Sequence, residues 1–490
     1  MTIAETPLDR RRWRALGVIA LVQFMLVLDV TVVNVALPHI QSDLHFSRAG
    51  LAWVVDGYVL TAGGLLLLGG RLGDLLGRRR MFVVGLLVFS VASALSGAAS
   101  DPAMLVTSRF LQGVGEAIAS PAAFGLVALL FTDPKERASA IGIFGGVAGL
   151  GGTLGPVVSG LLISASSWRW IFFVNIPVGL FAAAATLRMV DESRAERRAD
   201  APRPDLAGAV LGTGGLAGIV YGFIAAGNHP WGATQVVASL ALGVAALGAF
   251  VVRERVAPDP LVPAGFLRNG TRVSANLACV FFASVFFTMF FLLTLYWQQV
   301  EHYSTITTGV AYLPFGIVIG LGIAVSSAVV TKVGPKVLLL AGSLFVTAGV
   351  LLLSRITVHG SYLTQTLPAL VVAAFGSGLS FAAFGNASMH EVSGQDASLA
   401  SGLQSTAQQV GGAVGLAVLA TLALRHTRAS MAHGVAFSVA STHGAVLAFR
   451  IGALVSLAGG VLVALSPIAR AASAPVGEAH PLDLIEPVTV

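Results

Sequence analysis

RRRWRALGVIALVQFMLVLDVTVVNVAL, residues 10–37, is the stretch from which the rest of the chain is read. Four arginines, Arg10, Arg11, Arg12 and Arg14, lead into an apolar run that ends at Leu37. As a helix, about 23 residues span roughly 34 Å, enough to cross a hydrocarbon core of about 30 Å. A basic start before an apolar run also resembles a secretory leader, but no convincing small-residue cleavage site follows, so a retained first span is expected. Runs of the same kind recur along the 490 residues, of which 56% are apolar and only 11% charged, with a mean hydropathy of +0.85. Soluble domains carry about 25% charged residues, so a large soluble enzyme is excluded and the bilayer is the expected solvent.

Counting apolar runs gives fourteen spans and an all-α polytopic chain, with both termini on one side of the plasma membrane. Most of the 29 Lys and Arg fall in loops on that side, which the positive-inside rule makes cytoplasmic. The net charge of +6 is therefore topology, and no nucleic-acid partner is expected. Two charged, Pro-containing linkers divide the chain into an N-terminal six-helix bundle (1–190), a cytoplasmic linker (191–205), an inserted helix pair (206–253), a second cytoplasmic linker (254–272), a C-terminal six-helix bundle (273–470) and a cytoplasmic tail (471–490). The two bundles echo each other. Gly77-Arg78-Arg79 after span two matches Gly334-Pro335-Lys336 after span ten, and Gly113-Val114-Gly115 matches Gly376-Ser377-Gly378. Internal repeats in matching order are how many transporters are built.

Five stretches then carry a resemblance: Leu28-Asp29-Val30-Thr31-Val32-Val33-Asn34-Val35-Ala36-Leu37-Pro38, Gly70-Arg71-Leu72-Gly73-Asp74-Leu75-Leu76-Gly77-Arg78-Arg79, Arg109-Phe110-Leu111-Gln112-Gly113-Val114-Gly115, the glycine set Gly142, Gly151, Gly155, Pro156 and Gly160, and Trp168-Arg169-Trp170 through Asn175-Ile176-Pro177-Val178-Gly179. In this order they resemble the fourteen-helix drug:proton antiporters of the major facilitator superfamily. The resemblance implies two six-helix bundles flanking a central route, with two inserted helices. It also implies a conformational switch at Gly70, Arg71, Asp74, Gly77 and Arg78, and an antiport motif at Gly151, Gly155 and Pro156. Leu75 departs from the family, which prefers a basic residue there. On the residues alone, the glycines allow a tight turn or close helix approach and Pro156 permits a bend, while the basic loop also serves as ordinary anchoring.

Ionisable groups inside spans are functional candidates, because a charge in the bilayer costs at least a few kcal/mol. The candidates for proton coupling are Asp29, Asp56, Arg109 and Glu116. Arg109 and Glu116 lie two turns apart on one face of span four. If spans one and four line the same cavity, as the resemblance implies, Asp29, Arg109 and Glu116 converge on it. Desolvation favours a neutral acid and a nearby guanidinium favours the carboxylate, so a change in water access or Arg distance could switch proton affinity. Asp29 is the expected carrier, Glu116 a second carrier or cation-binding group, and Arg109 the tuner. A permanent structural ion pair is the alternative.

The second half offers amides and rings. The expected substrate-binding set is Asn34, Gln112, Asn276, Phe282, Phe286, Phe290, Gln404 and Gln408, part of which faces a cavity. No metal cluster, nucleotide loop or hydrolase nucleophile is visible, so no cofactor, no nucleotide and no enzyme activity are expected. Cys279 stands alone, as a packing residue. The expected function is efflux of hydrophobic drugs or antibiotics, cationic ones among the candidates, in exchange for protons by a monomer in the lipid bilayer. A dedicated exporter of one metabolite, a proton symporter and a non-transporting sensor stay open.

Overall fold

The computed structural model describes residues 7–468 apart from 48, 132, 192–204, 264 and 393–396, and every described element is helical. The tail 471–490 and nearly all of the linker 191–205 lie outside the described residues, as does the side chain of Asp74. The helices are α1 (Pro7–Asp43), α2 (Trp53–Leu76), α3 (Arg78–Gly97), α4 (Pro102–Leu130), α5 (Pro134–Ala165) and α6 (Asn175–Met189, after the single turn Trp170–Phe173). The inserted pair is α7 (Leu206–Ala226) and α8 (Thr234–Val256). Then come α9 (Gly270–Leu295), the continuous stretch Leu313–Leu353, α12 (Leu367–Ser388), α13 (Ala397–Ala432) and α14 (Phe437–Leu465).

Leu313–Leu353 is 41 residues, roughly 61 Å of helix and twice a membrane. It breaks at Gly334, where φ is 78°, so it is two antiparallel spans, α10 (313–333) and α11 (335–353). The same device separates α2 from α3 at Gly77, with φ 102°. A side chain would strain both positions, and glycine does not. The described residues thus form fourteen spans of a multi-pass membrane protein. Leucines such as Leu242, 70% exposed, face outward as a lipid-bathed surface requires. Polar caps set helix starts: Asp101 accepts from Met104 N at 3.0 Å, Asp205 from Gly208 N at 3.0 Å and Asn269 from Arg272 N at 3.1 Å.

Packing repeats between the halves. In the first, α1 packs on α5 and α6, α4 on α2 and α3, and α3 on α6. In the second, α9 packs on α13 and α14, α12 on the α10–α11 stretch, and that stretch on α14. The repeat reaches single atoms. Thr31 Oγ1 donates to the Gly151 carbonyl and a methyl at Gly155 would overlap Thr31; Ser284 Oγ donates to the Gly411 carbonyl and a methyl at Gly415 would overlap Ser284. Arg79 Nη1 reaches the Val190 carbonyl beyond α6 at 3.1 Å, and Lys336 Nζ the Ser466 carbonyl beyond α14 at 2.7 Å. The glycine pairs in α4 and α12 match with a shift of two: Gly115 packs on Phe89 of α3 as Gly376 packs on Phe345 of α11.

The halves meet along two seams, α2 against α13, and α5 against α10 and the short helix Thr305–Ala311. Call the side bearing Pro7 and Ile468 the terminal face and the other the far face. Among the described residues two hydrogen bonds join the halves directly, both toward the far face: Gln298 Nε2 to the Val35 carbonyl and Gln299 Nε2 to Gln41 Oε1, each 2.9 Å. Helices there outrun the apolar runs expected from sequence. Arg425 and Arg428 belong to α13, which runs on to Ala432. Hydrophobicity delimits the part of a helix inside the bilayer, and the helix itself continues beyond it.

Close approach of α1 and α5 makes a strong prediction. Gly155→Leu should overpack the Thr31 contact and cost about 3 kcal/mol, read as a lowered thermal-unfolding temperature in detergent. Gly146→Leu, on the same helix with nothing within 4 Å, should leave that temperature unchanged.

Candidate functional site

α1 presents Gln23, Val27, Val30, Thr31 and Asn34 at spacings of four, three, one and three, which is one stripe of a helix. That stripe forms one wall of a cavity of about 400 Å³ between the halves. Leu66 of α2 and Glu116 and Ser120 of α4, with Gly152 and Pro156 of α5, complete the N-terminal wall. Facing them are Phe286, Phe287 and Phe290 of α9, Tyr312, Phe315 and Ile319 at the start of α10, Phe381 of α12, and Ser405, Gln408 and Gln409 of α13. The aromatic wall is built by contact: Phe286 lies 5.1 Å from Phe290 and 5.6 Å from Phe381, and Phe290 stacks on Tyr312 at 4.8 Å. Tyr312 is fixed by donating to the Phe290 carbonyl at 3.0 Å. Among the described lining residues Glu116 is the one acid. Its Oε2 has no hydrogen-bond partner, and neither has Gln23 Oε1. A lone carboxylate opposite stacked rings can hold a flat cation, by charge on one side and ring faces on the other.

Asp29 stands apart from the cavity. It is fully buried within the N-terminal bundle, where Oδ2 accepts from Arg109 Nη1 at 2.6 Å and Oδ1 from Gln112 Nε2 and Asn175 Nδ2, each at 2.8 Å. Arg109 also donates to the Gln112 side chain at 2.8 Å and, through Nε, to the Val54 carbonyl at 2.9 Å. Its guanidinium lies 4.2 Å from the Tyr58 ring centre. Ser93 ties the network together, accepting from Asn175 at 3.0 Å and donating to the Phe172 carbonyl at 2.8 Å. Buried charges persist when paired and fully hydrogen-bonded, as here. Asn175 and Ser93 are the partners that sequence reading missed as such. Asn175 lay in a quoted motif, while nothing local marks Ser93.

Of the expected substrate set, Asn34, Phe286, Phe290 and Gln408 line the cavity. Gln112 belongs to the Asp29 network, and Asn276 donates to the Arg272 carbonyl at 2.9 Å. Phe282 backs the aromatic wall, 5.7 Å from Phe286, and Gln404 is not among the lining residues. Asp56 is also elsewhere: it is buried, neither oxygen has a partner, and it shares a helix face with Gly63 and Leu67, which pack on Gln409 and Gly402 of α13. Of the residues expected to form a switch, Gly70 lies in α2 near Pro121, Arg71 of α2 is partly exposed, Gly77 makes the turn, and Arg78 Nη1 donates to the Gly125 carbonyl at 3.1 Å. Gly151 and Gly155 take α1 at close range, and Pro156 reaches the cavity.

The description Major Facilitator Superfamily matches residues 19–416. The puromycin resistance protein pur8 of Streptomyces alboniger is 41% identical over 460 residues, covering 91% of this chain and 90% of that protein. The tetracenomycin C resistance and export protein of Streptomyces glaucescens is 35% identical over 86% of this chain and 78% of its own length. Among solved structures, a bacterial homologue of the human lysosomal transporter Spinster, inward-facing and occupied, aligns with a TM-score of 0.66 at 16% identity, over 94% of this chain and 97% of that one. That likeness concerns the fold alone.

Proposed function

We propose that this chain, which belongs to the Major Facilitator Superfamily and is a transporter and not an enzyme, exports small, flat, hydrophobic molecules bearing a positive charge in exchange for protons. The terminal face is the cytoplasmic one in this reading, on the placement of its bases. The observation that carries the reading is Glu116: a carboxyl lining the cavity, one oxygen of which has no hydrogen-bond partner, in a lining that also holds Phe286, Phe290, Tyr312, Phe315 and Phe381. Cargo and proton cannot both neutralise one carboxylate, so binding of either displaces the other, which is the exchange that antiport needs. Asp29 takes the second role, a carrier that loads only when the bundle rearranges and Arg109 withdraws. The switch loop and the Gly151, Gly155 and Pro156 stripe shape the two arrangements between which the halves rock.

The relatives named for resistance to puromycin and for resistance to and export of tetracenomycin C support export as the direction. They also favour a second reading, a dedicated exporter of one compound. Accumulation of a dye and antibiotic panel in cells with and without the protein separates the two. Protonophore-sensitive extrusion of several cationic members is expected, extrusion of a single compound would favour the dedicated exporter, and extrusion that ignores the protonophore would remove the proton from the mechanism.

A further inference from the structure

The inserted pair sits where the halves must part. α7 packs on both α2 and α13, across one of the two seams. The pair is a unit in itself. Gly215, Gly218 and Gly222 of α7 take Leu247, Gly243 and Leu240 of α8 at close range, and Asp205 at the start of α7 pairs with Arg253 Nε of α8 at 3.1 Å. Its two attachments differ in kind. Toward the N-terminal half the contacts among the described residues are apolar or unbonded: Thr213 lies on Gly64 with its hydroxyl unpartnered, the Tyr221 ring is 6.3 Å from Trp53, and Gly227 lies against Ala49. Toward the C-terminal half they are hydrogen bonds from α13. Thr421 Oγ1 donates to the Phe223 carbonyl at 2.8 Å, and Arg425 Nη1 to the carbonyls of Ala226 and His229 at 2.7 and 2.9 Å. Arg428 donates to the Gly227 carbonyl and, at 2.6 Å, to Asn228 Oδ1, while Arg425 lies 5.4 Å from the Trp231 ring centre. These acceptors include the carbonyl of Ala226, the last residue of α7, which no later turn of helix satisfies, at the negative end of its dipole.

We propose that the α7–α8 pair is fastened to the C-terminal half and rides with it, so that each opening of the far face separates the pair from α2 and leaves its bonds to α13 intact. This rests on the alternating-access reading given above. Opening the far face must break the Gln298 and Gln299 contacts and part α2 from α13 beside Ala49, Gly227 and Thr421. A rigid pair that touches both halves can follow only one of them. It follows the half whose charged donors hold otherwise unpaired carbonyls, and it slides over the half that offers only surfaces in contact. The pair is thereby a moving cover for the α2–α13 seam, with no counterpart on the α5–α10 seam among the described residues.

Gly227 stands between both halves and supplies the test. A Cβ there would lie 3.2 Å from Ala49 Cβ, near the Cβ separation of about 3.8 Å that a disulfide spans, and 3.7 Å from Thr421 Oγ1, the atom whose place a cysteine sulfur takes. In a Cys279→Ala background, Gly227→Cys is combined with Thr421→Cys or with Ala49→Cys, and ethidium efflux from cells is measured reduced, oxidised, and re-reduced with dithiothreitol. Equal efflux by both reduced proteins establishes that they fold. The 227–421 disulfide should leave efflux within about twofold of the reduced protein, and the 227–49 disulfide should lower it at least about tenfold, reversibly. A 227–421 bond that blocks efflux, or a 227–49 bond that does not, overturns the proposal. Rates of disulfide formation decide it separately: the 227–49 rate should change with external pH or added ethidium, and the 227–421 rate should not. If the Cys279→Ala parent extrudes no ethidium, the export reading is what failed, and these rates still judge the motion of the insert.

Discussion

Glu116→Gln is expected to lower proton-driven efflux of a cationic dye by roughly 100-fold or more while leaving the thermal stability of the purified protein unchanged. The substitution keeps shape and removes the one property on which exchange depends. Glu116 borders the cavity and its Oε2 has no partner, so an amide nitrogen in the place of that oxygen breaks no hydrogen bond. An amide opposite the Phe286 and Phe290 rings still accepts a hydrogen bond, but it attracts a cation far less and neither gains nor loses a proton. Cationic dyes should therefore lose both affinity and coupling, whereas a neutral hydrophobic cargo, if carried, should move down its own gradient without moving protons. Everted vesicles with an imposed pH gradient measure this directly. Full gradient-driven uptake of the cationic dye by the Gln variant would end the assignment of Glu116.

What the chain discloses before folding follows from which patterns are periodic. The all-helical, many-span character and the Gly77 and Gly334 turns depend on local runs and on residues with unusual backbone freedom, so they are legible. The α1 wall of the cavity is also legible in principle, since Gln23, Thr31 and Asn34 are the polar members of one helical stripe. The fate of Arg109 is not. Its seven-residue separation from Glu116 puts both Cα atoms on one side of α4, yet the long side chain turns into the bundle to meet Asp29, while Glu116 stays at the cavity. Helical phase constrains Cβ directions and leaves the reach of a flexible arginine open. Asn175 and Ser93 reach Asp29 or its partners from α6 and α3, a convergence across separate helices that no single period encodes. The phenylalanines of α9 divide for the same reason: Phe286, Phe287 and Phe290 line the cavity, whereas Phe281 packs toward Gly459.

The ion pair inside the N-terminal bundle carries the other large expected effect. Arg109→Met should destabilise the protein by about 3–5 kcal/mol, because it leaves the Asp29 carboxylate buried without its cation. Gln112 and Asn175 would remain as donors, but neither carries charge. Asp29→Asn in the wild-type background strands the guanidinium instead, with the Val54 carbonyl, the Gln112 amide and the Tyr58 ring still beside it, so its cost should be the smaller of the two. Combining the substitutions removes both charges, and the double variant should recover most of the stability lost by Arg109→Met. Thermal unfolding in detergent gives the cycle, and a double variant no more stable than Arg109→Met would show that the pair is not what holds these helices. Efflux measured on the same four proteins then separates structure from transport. If Asp29 carries protons, the double variant is stable and proton-driven efflux stays lost; if the pair only braces α1 against α4, efflux returns along with stability.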